Sequence, residues 1–167
     1  MMDCPALEAK GGEWFYRTLA ENLQLAQYEF TKYKTKGKGT KELKEVLVCG
    51  ELSAAEKRSF ADGLIVGEGA NLTRDIANTS GEDMTPSKLA KAAKDALKGT
   101  KATVKILSPA EIKKAKMGLL EVVGKGASDK PQFIIIEWWG AGKPTATEKK
   151  AGKKKPIALV GKGITYD

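Results

Sequence analysis

Three glycines, Gly63, Gly67 and Gly69, lie inside one long apolar-periodic segment that opens at Ser53. That combination narrows the folds open to this chain more than any other feature. Ser53 and Glu56 have the spacing of a capping box, in which each side chain satisfies the other residue's free backbone N–H. Phe60, Leu64, Leu72 and Ile76 then fall on one side of a helix at 100° per residue. A glycine in an exposed helix costs about 1 kcal/mol against alanine. A helix that carries three is expected to use them to let another backbone pack closely. The segment runs out at Asn78-Thr79-Ser80-Gly81, a cluster of turn residues.

On either side the pattern alternates. Glu13 to Lys34 predicts a helix with Leu19, Leu23, Ala26 and Phe30 as its stripe, and Glu45 to Cys49 a short buried strand. Thr85 followed by Pro86 predicts a helix start, with Leu89, Ala93, Ala96 and Leu97 as its stripe and an end at Gly99. Ala102 to Leu107 alternates as a half-buried strand does, and Ser108-Pro109-Ala110-Glu111 is a second capped helix start. Phe133 to Ile136 and Ile157 to Val160 are continuous apolar runs, as expected of strands covered on both faces. Strand, helix and strand in succession predict an α/β sheet with parallel members.

Composition removes several chemistries. The 167 residues contain no histidine, which excludes Ser-His-Asp and Cys-His catalysis and His-ligated zinc in this chain. Cys4 and Cys49 form neither a CxxC pair nor a disulfide framework. With 41% hydrophobic and 30% charged residues the balance is that of an ordinary globular domain. No apolar run approaches the roughly 20 residues of a membrane span, and Met1 to Lys10 lacks the pattern of a signal peptide. The expected location is the cytoplasm, with no membrane partner.

The net charge is +8, but residues 31–44 and 142–155 each hold six lysines and one glutamate, leaving the rest of the chain at −2. The excess sits in two Gly/Thr/Lys-rich stretches expected to be solvated loops. That distribution argues against nucleic acid as a main partner.

Glycine-rich nucleotide loops are not supported. The phosphate-loop pattern fails at Lys162, where Pro156 stands in place of the first glycine, and at Lys125, where Leu119 does. Gly161 and Gly163 are followed by Tyr166, and Gly124 and Gly126 by Asp129, so neither makes Gly-x-Gly-x-x-Gly. The informative stretch is Lys155 to Asp167. A buried-type run ends there in Gly161-Lys162-Gly163, and ligand sites of open α/β sheets lie outside the carboxyl ends of strands. Asp167 follows Lys162 by five residues, so both tips can reach one centre. A turn with an exposed lysine and an exposed aspartate accounts for the same spacing.

The stretch resembles the cytosol (leucyl) aminopeptidase family. So do Glu68-Gly69-Ala70-Asn71-Leu72-Thr73-Arg74-Asp75-Ile76-Ala77-Asn78-Thr79, which is similar to that family's interdomain helix, and Asp83-Met84-Thr85-Pro86, similar to the turn after it. Met117 to Gly126 and Phe133 to Glu137 resemble the next segments. Ser80 stands where the family often has proline, Glu82 where it often has asparagine, and Tyr166 where it has phenylalanine.

The resemblance implies that residues 1–77 are the end of an N-terminal α/β domain with the interdomain helix. Residues 78–167 would begin an α/β/α catalytic domain. It implies a metal-dependent aminopeptidase that releases N-terminal amino acids, with a leucine-type preference, from peptides with a free N-terminus. It implies two divalent metal ions, zinc first, with manganese or magnesium as alternatives at one position. They would be held by one lysine, three aspartates and one glutamate. Lys162 matches the lysine ligand and Asp167 a metal-bridging aspartate. A lysine ligates only as the neutral amine, a form that nearby dications and burial favour. The remaining ligands and catalytic groups of the family pattern would follow Asp167, so the 167-residue chain by itself is expected to be inactive. A homohexamer is implied as the assembly. The competing class is a non-catalytic binding or assembly module with basic loops.

Overall fold

The computed structural model describes residues 5–36, 44–48, 50–153 and 155–165. Cys4, Cys49, Tyr166 and Asp167 lie outside the described residues. The chain divides into two compact units, Met1–Thr79 and Ser80–Asp167.

The first unit is a pair of helices, α1 (Pro5–Ala26) and α2 (Ala54–Asn78). Gly12 has a non-helical backbone with φ +41°, so α1 bends just before Glu13, where the sequence places a helix start. Helix α2 opens as expected: the Ser53 side chain accepts from the Glu56 N–H, and the Glu56 carboxylate accepts from the Ser53 N–H at 2.8 Å. The bonds that the Glu56 carboxylate accepts from the Ser53 N–H and from the Ser53 hydroxyl hold it below its usual range.

The glycines account for how the two helices meet. A Cβ on Gly63 would lie 2.2 Å from the Arg17 carbonyl oxygen and 2.9 Å from the Ala20 Cβ. A Cβ on Gly67 would lie 2.5 Å from the Gln24 Cβ. Both glycines are buried, and Ala20 is wholly buried opposite them. Gly69 differs, with nothing within 4 Å of a Cβ there.

Gly63 and Gly67 pack on Arg17, Ala20, Glu21 and Gln24 of α1. Of the two expected stripes, Leu19, Leu23, Phe60, Leu64 and Ile76 are half-buried, whereas Ala26 and Leu72 are exposed.

Helix α1 also ends at Ala26 instead of continuing to Lys34. Its last carbonyls are taken by side chains of α2. Asn71 donates to the Gln24 oxygen at 2.9 Å and Arg74 to the Leu25 oxygen at 3.3 Å. The Arg74 guanidinium lies 3.8 Å over the Tyr28 ring. The Tyr28 hydroxyl donates to Asp75 and accepts from Asn78. A helix continued through Tyr28 would have to give up this clasp. Of the strand expected over Glu45 to Cys49, Glu45 to Val48 form no strand among the described residues and are mostly exposed, and Cys49 lies outside them.

The second unit runs α3 (Pro86–Ala96), β1 (Thr103–Leu107), α4 (Pro109–Lys114), α5 (Gly118–Val123), β2 (Phe133–Glu137) and α6 (Ala146–Lys150). Ala90, Leu107 and Ile112 are its buried apolar residues. A capping box of Ser108 and Glu111 starts α4 immediately after β1, as the sequence predicts.

The sheet differs from expectation. β1 and β2 pair antiparallel, Val104 opposite Ile136 and Ile106 opposite Ile134. The connection from 108 to 132 is longer than the dozen or so residues a parallel crossover needs, so its length leaves both directions open, and an apolar run does not report which ladder forms. β2 is not covered on both faces, since Phe133 and Ile136 remain exposed. The run Ile157–Val160 forms no strand among the described residues. Ile157, Leu159 and Val160 are more than nine-tenths exposed. An apolar run signals that a segment is made to be covered, but a strand exists only when another backbone takes its ladder bonds.

Gly63 and Gly69 give opposite expected outcomes for the same change. Gly63→Ala forces the helices apart and should cost about 1–3 kcal/mol, the usual penalty of overpacking. Gly69→Ala meets no neighbour and should stabilise by up to about 1 kcal/mol through helix propensity. Urea unfolding of the 167-residue chain followed by circular dichroism measures both. Equal shifts of the same sign would contradict the glycine contact.

Candidate metal-ligand segment

The segment bearing the expected ligands follows α6. Residues 155–165 form no helix or strand among the described residues, and Lys162 is exposed with no hydrogen-bond or ion-pair partner among them. Gly161 has nothing within 4 Å of a Cβ position, whereas Gly163 would bring a Cβ to 3.4 Å from the Leu89 Cδ2 of α3. Gly163 thus lies near Leu89 of α3.

Helix α3 is itself held by a residue far away in sequence. Thr85 occupies the position before the helix, but its hydroxyl makes no capping bond. Asp129 supplies the acceptor instead. One carboxylate oxygen takes the Ser87 N–H at 3.1 Å and the Ser87 hydroxyl at 2.6 Å. Pro86 has no N–H, so the Ser87 N–H is the first free donor of the helix. Bonds from the Ser87 and Thr85 side chains hold the Asp129 carboxyl below its usual range, against partial desolvation. The helix macrodipole favours a negative charge at the same place.

Of the two expected ligands, Lys162 is placed on the surface, and Asp167 lies outside the described residues. The amine of Lys162, a nitrogen donor only in its neutral form, has no competing partner among the described residues, and the glycines on either side add no side chain beside it. It fits a share of a metal site, not a whole one. Among the described residues, no group of three or more His, Cys, Asp or Glu side chains is placed to hold a metal ion. A cleft of about 350 Å³ between α4, α5 and the turn after them is lined by Ile112, Lys113, Glu121, Lys125 and Pro131, and Lys162 takes no part in it. No helix among the described residues is long and apolar enough to cross a membrane.

Sequence reasoning missed Asp129, and it missed Tyr28, Asn71, Arg74, Asp75 and Asn78 as a polar clasp. The clasp residues of α2 sit within the segment quoted for its family resemblance, so the motif was visible while its partners on α1 were not.

A sequence profile described as the cytosol aminopeptidase family, catalytic domain, matches residues 71–167. The probable cytosol aminopeptidase of Chlamydia trachomatis serovar D is 37% identical over 157 residues, which is 93% of this chain and 30% of that protein. That of Bdellovibrio bacteriovorus is 37% identical over 156 residues, 92% of this chain and 29% of that protein. The chain thus spans about 30% of the length of these curated relatives. Among solved structures, the bottromycin maturation enzyme BotP in complex with Mn superposes with a TM-score of 0.62 at 22% identity, covering 74% of this chain and 25% of that one. At that identity the likeness concerns the fold.

The Asp129 cap has an expected pH signature. Asp129→Ala should cost about 1 kcal/mol at pH 7, the typical value of a lost helix cap. The folded carboxyl titrates below its ordinary value near 3.9. Its contribution is therefore complete above that value and fades as pH falls through the lower folded one. The stability gap between wild type and variant, from urea unfolding at pH 7 and near pH 3, should narrow on acidification. A gap that is the same at both would contradict the carboxylate cap.

Proposed function

This chain belongs to the cytosol aminopeptidase family, and from that premise we propose that the whole protein is a cytoplasmic, metal-dependent aminopeptidase. Its substrates are peptides with a free N-terminus, with a leucine-type preference, and it works as a homohexamer. Residues 1–77 are the end of its N-terminal domain with the interdomain helix, and residues 78–167 begin its catalytic domain. The observation that carries this reading is the family match across residues 71–167, which includes a glycine-flanked Lys162 with no competing partner among the described residues.

Lys162 and Asp167 are the ligands this chain contributes to a two-metal centre. Zinc is the first choice of ion, and manganese, the metal bound by BotP, is the alternative, with magnesium a further one. Two bound dications supply carbonyl polarisation, a hold on the substrate amine and an activated water. The chain's own part is to present the Lys162 nitrogen unprotonated and the Asp167 carboxylate ionised. Gly161 and Gly163 add no side-chain bulk beside that nitrogen. Two of five ligands do not hold two dications, so the 167-residue chain alone has no aminopeptidase activity.

Calorimetric zinc titration and turnover of a leucine amide test this. In the whole protein, Lys162→Ala should lower activity by roughly 100-fold or more and weaken one metal, because it opens a ligand position. The 167-residue chain should bind zinc no better than scattered carboxylates do. An unimpaired Lys162→Ala protein, or tight stoichiometric zinc binding by the short chain, would overturn the ligand assignment. No turnover by the whole protein with any divalent metal would favour the non-catalytic module.

A further inference from the structure

We propose that the cleft of about 350 Å³ in the second unit binds a small carboxylate with an aliphatic body. Lys113, Lys125 and Lys130 hold the charged head, and Pro109, Ala110 and Pro131 take the body. The inference is independent of the aminopeptidase reading and of the assignment of Lys162. It gives a use to Gly124-Lys125-Gly126, a glycine–lysine turn that fits no nucleotide-loop pattern.

Local bonds build the cleft. The Lys125 N–H donates to the Val122 oxygen and the Ala127 N–H to the Gly124 oxygen, both at 3.2 Å, which closes the turn after α5. The Lys130 ammonium then bridges two carbonyls of that turn. It donates to the Ala127 oxygen at 2.8 Å and to the Lys125 oxygen at 3.3 Å. An ammonium has three N–H groups, so one is left for a further acceptor. A cation already fixed by the backbone loses less side-chain freedom when a ligand arrives. Beneath the cleft Ile112 is wholly buried, so its apolar floor is anchored in the core of the unit.

The charges decide what the cleft takes. Three lysines line it against one carboxylate, Glu121. Other exposed lysines of the chain do pair, Lys34 with Glu29, Lys88 with Asp83 and Lys143 with Glu137. Lys113 and Lys125 have no side-chain partner among the described residues, and neither has Glu121, although it stands only four residues before Lys125. Like charges around one cavity repel, and an anion between them removes that cost. The remaining lining is proline, alanine and glycine, which offers an aliphatic body contact without a competing acceptor side chain. A volume of this size falls in the range of small-molecule sites.

Titration of the 167-residue chain with 4-methylpentanoate, followed by amide resonances, is the test. Saturable shifts at Lys113 and Lys125 are expected, with an affinity of about 1 mM, fitting for a ligand of this size. Acetate has the head without the body, and 4-methylpentan-1-ol the body without the charge; each should bind at least about ten-fold more weakly. Lys113→Gln breaks no bond of the fold and should weaken 4-methylpentanoate by about five-fold, the upper scale of an exposed ion pair. Lys130→Gln should cost at least as much. Lys149→Gln on α6 removes the same charge from a residue that does not line the cleft, and should leave the affinity unchanged. Shifts that do not saturate, acetate or the alcohol binding as tightly as the acid, or equal losses from Lys149→Gln and Lys113→Gln would each overturn the proposal.

Discussion

The close approach of α1 and α2 at Gly63 and Gly67 is the constraint on which the first unit depends. Without side chains at these two positions, α2 lies directly on the backbone oxygens and small side chains of α1. Only at that separation can Asn71 and Arg74 reach the final carbonyls of α1, and only there can Tyr28 settle between Arg74, Asp75 and Asn78. A methyl group at Gly63 would have to share space with the Arg17 oxygen. The glycines, poor helix formers in isolation, thus enable a set of hydrogen bonds that ends one helix and orients the other.

Local features of the fold were legible in the sequence. The capping boxes at Ser53–Glu56 and Ser108–Glu111 depend on residues three apart, and both form as read. Features that depend on a distant partner were not legible. The antiparallel direction of β2 depends on which backbone it meets, which periodicity does not report. Ile157–Val160 shows that hydrophobicity records a demand for cover without naming what supplies it. Leu19 and Leu23 are half-buried while Ala26 is exposed, and the glycine contact with Ala20 and Gln24 lies beside that stripe, a placement that periodicity alone does not report.

The candidate site divides in the same way. Lys162 was picked out by its place after an apolar run and between glycines, and by its family resemblance. Asp129 carries no local signal. It acts on Ser87 across 42 residues, and nothing around Ser128-Asp129-Lys130 marks it as a helix cap. A candidate ligand can therefore be read from the chain alone, whereas a helix cap supplied from 42 residues away cannot.

The central claim is that Lys162 is a ligand to a catalytic metal in the whole protein. Diffraction data collected at the zinc absorption edge from crystals of the zinc-loaded protein address it without recourse to activity. The expected result is an anomalous peak about 2.1 Å from the Lys162 Nζ, the length of a zinc–nitrogen bond. Zinc peaks elsewhere, with the Lys162 side chain turned to solvent away from all of them, would contradict it.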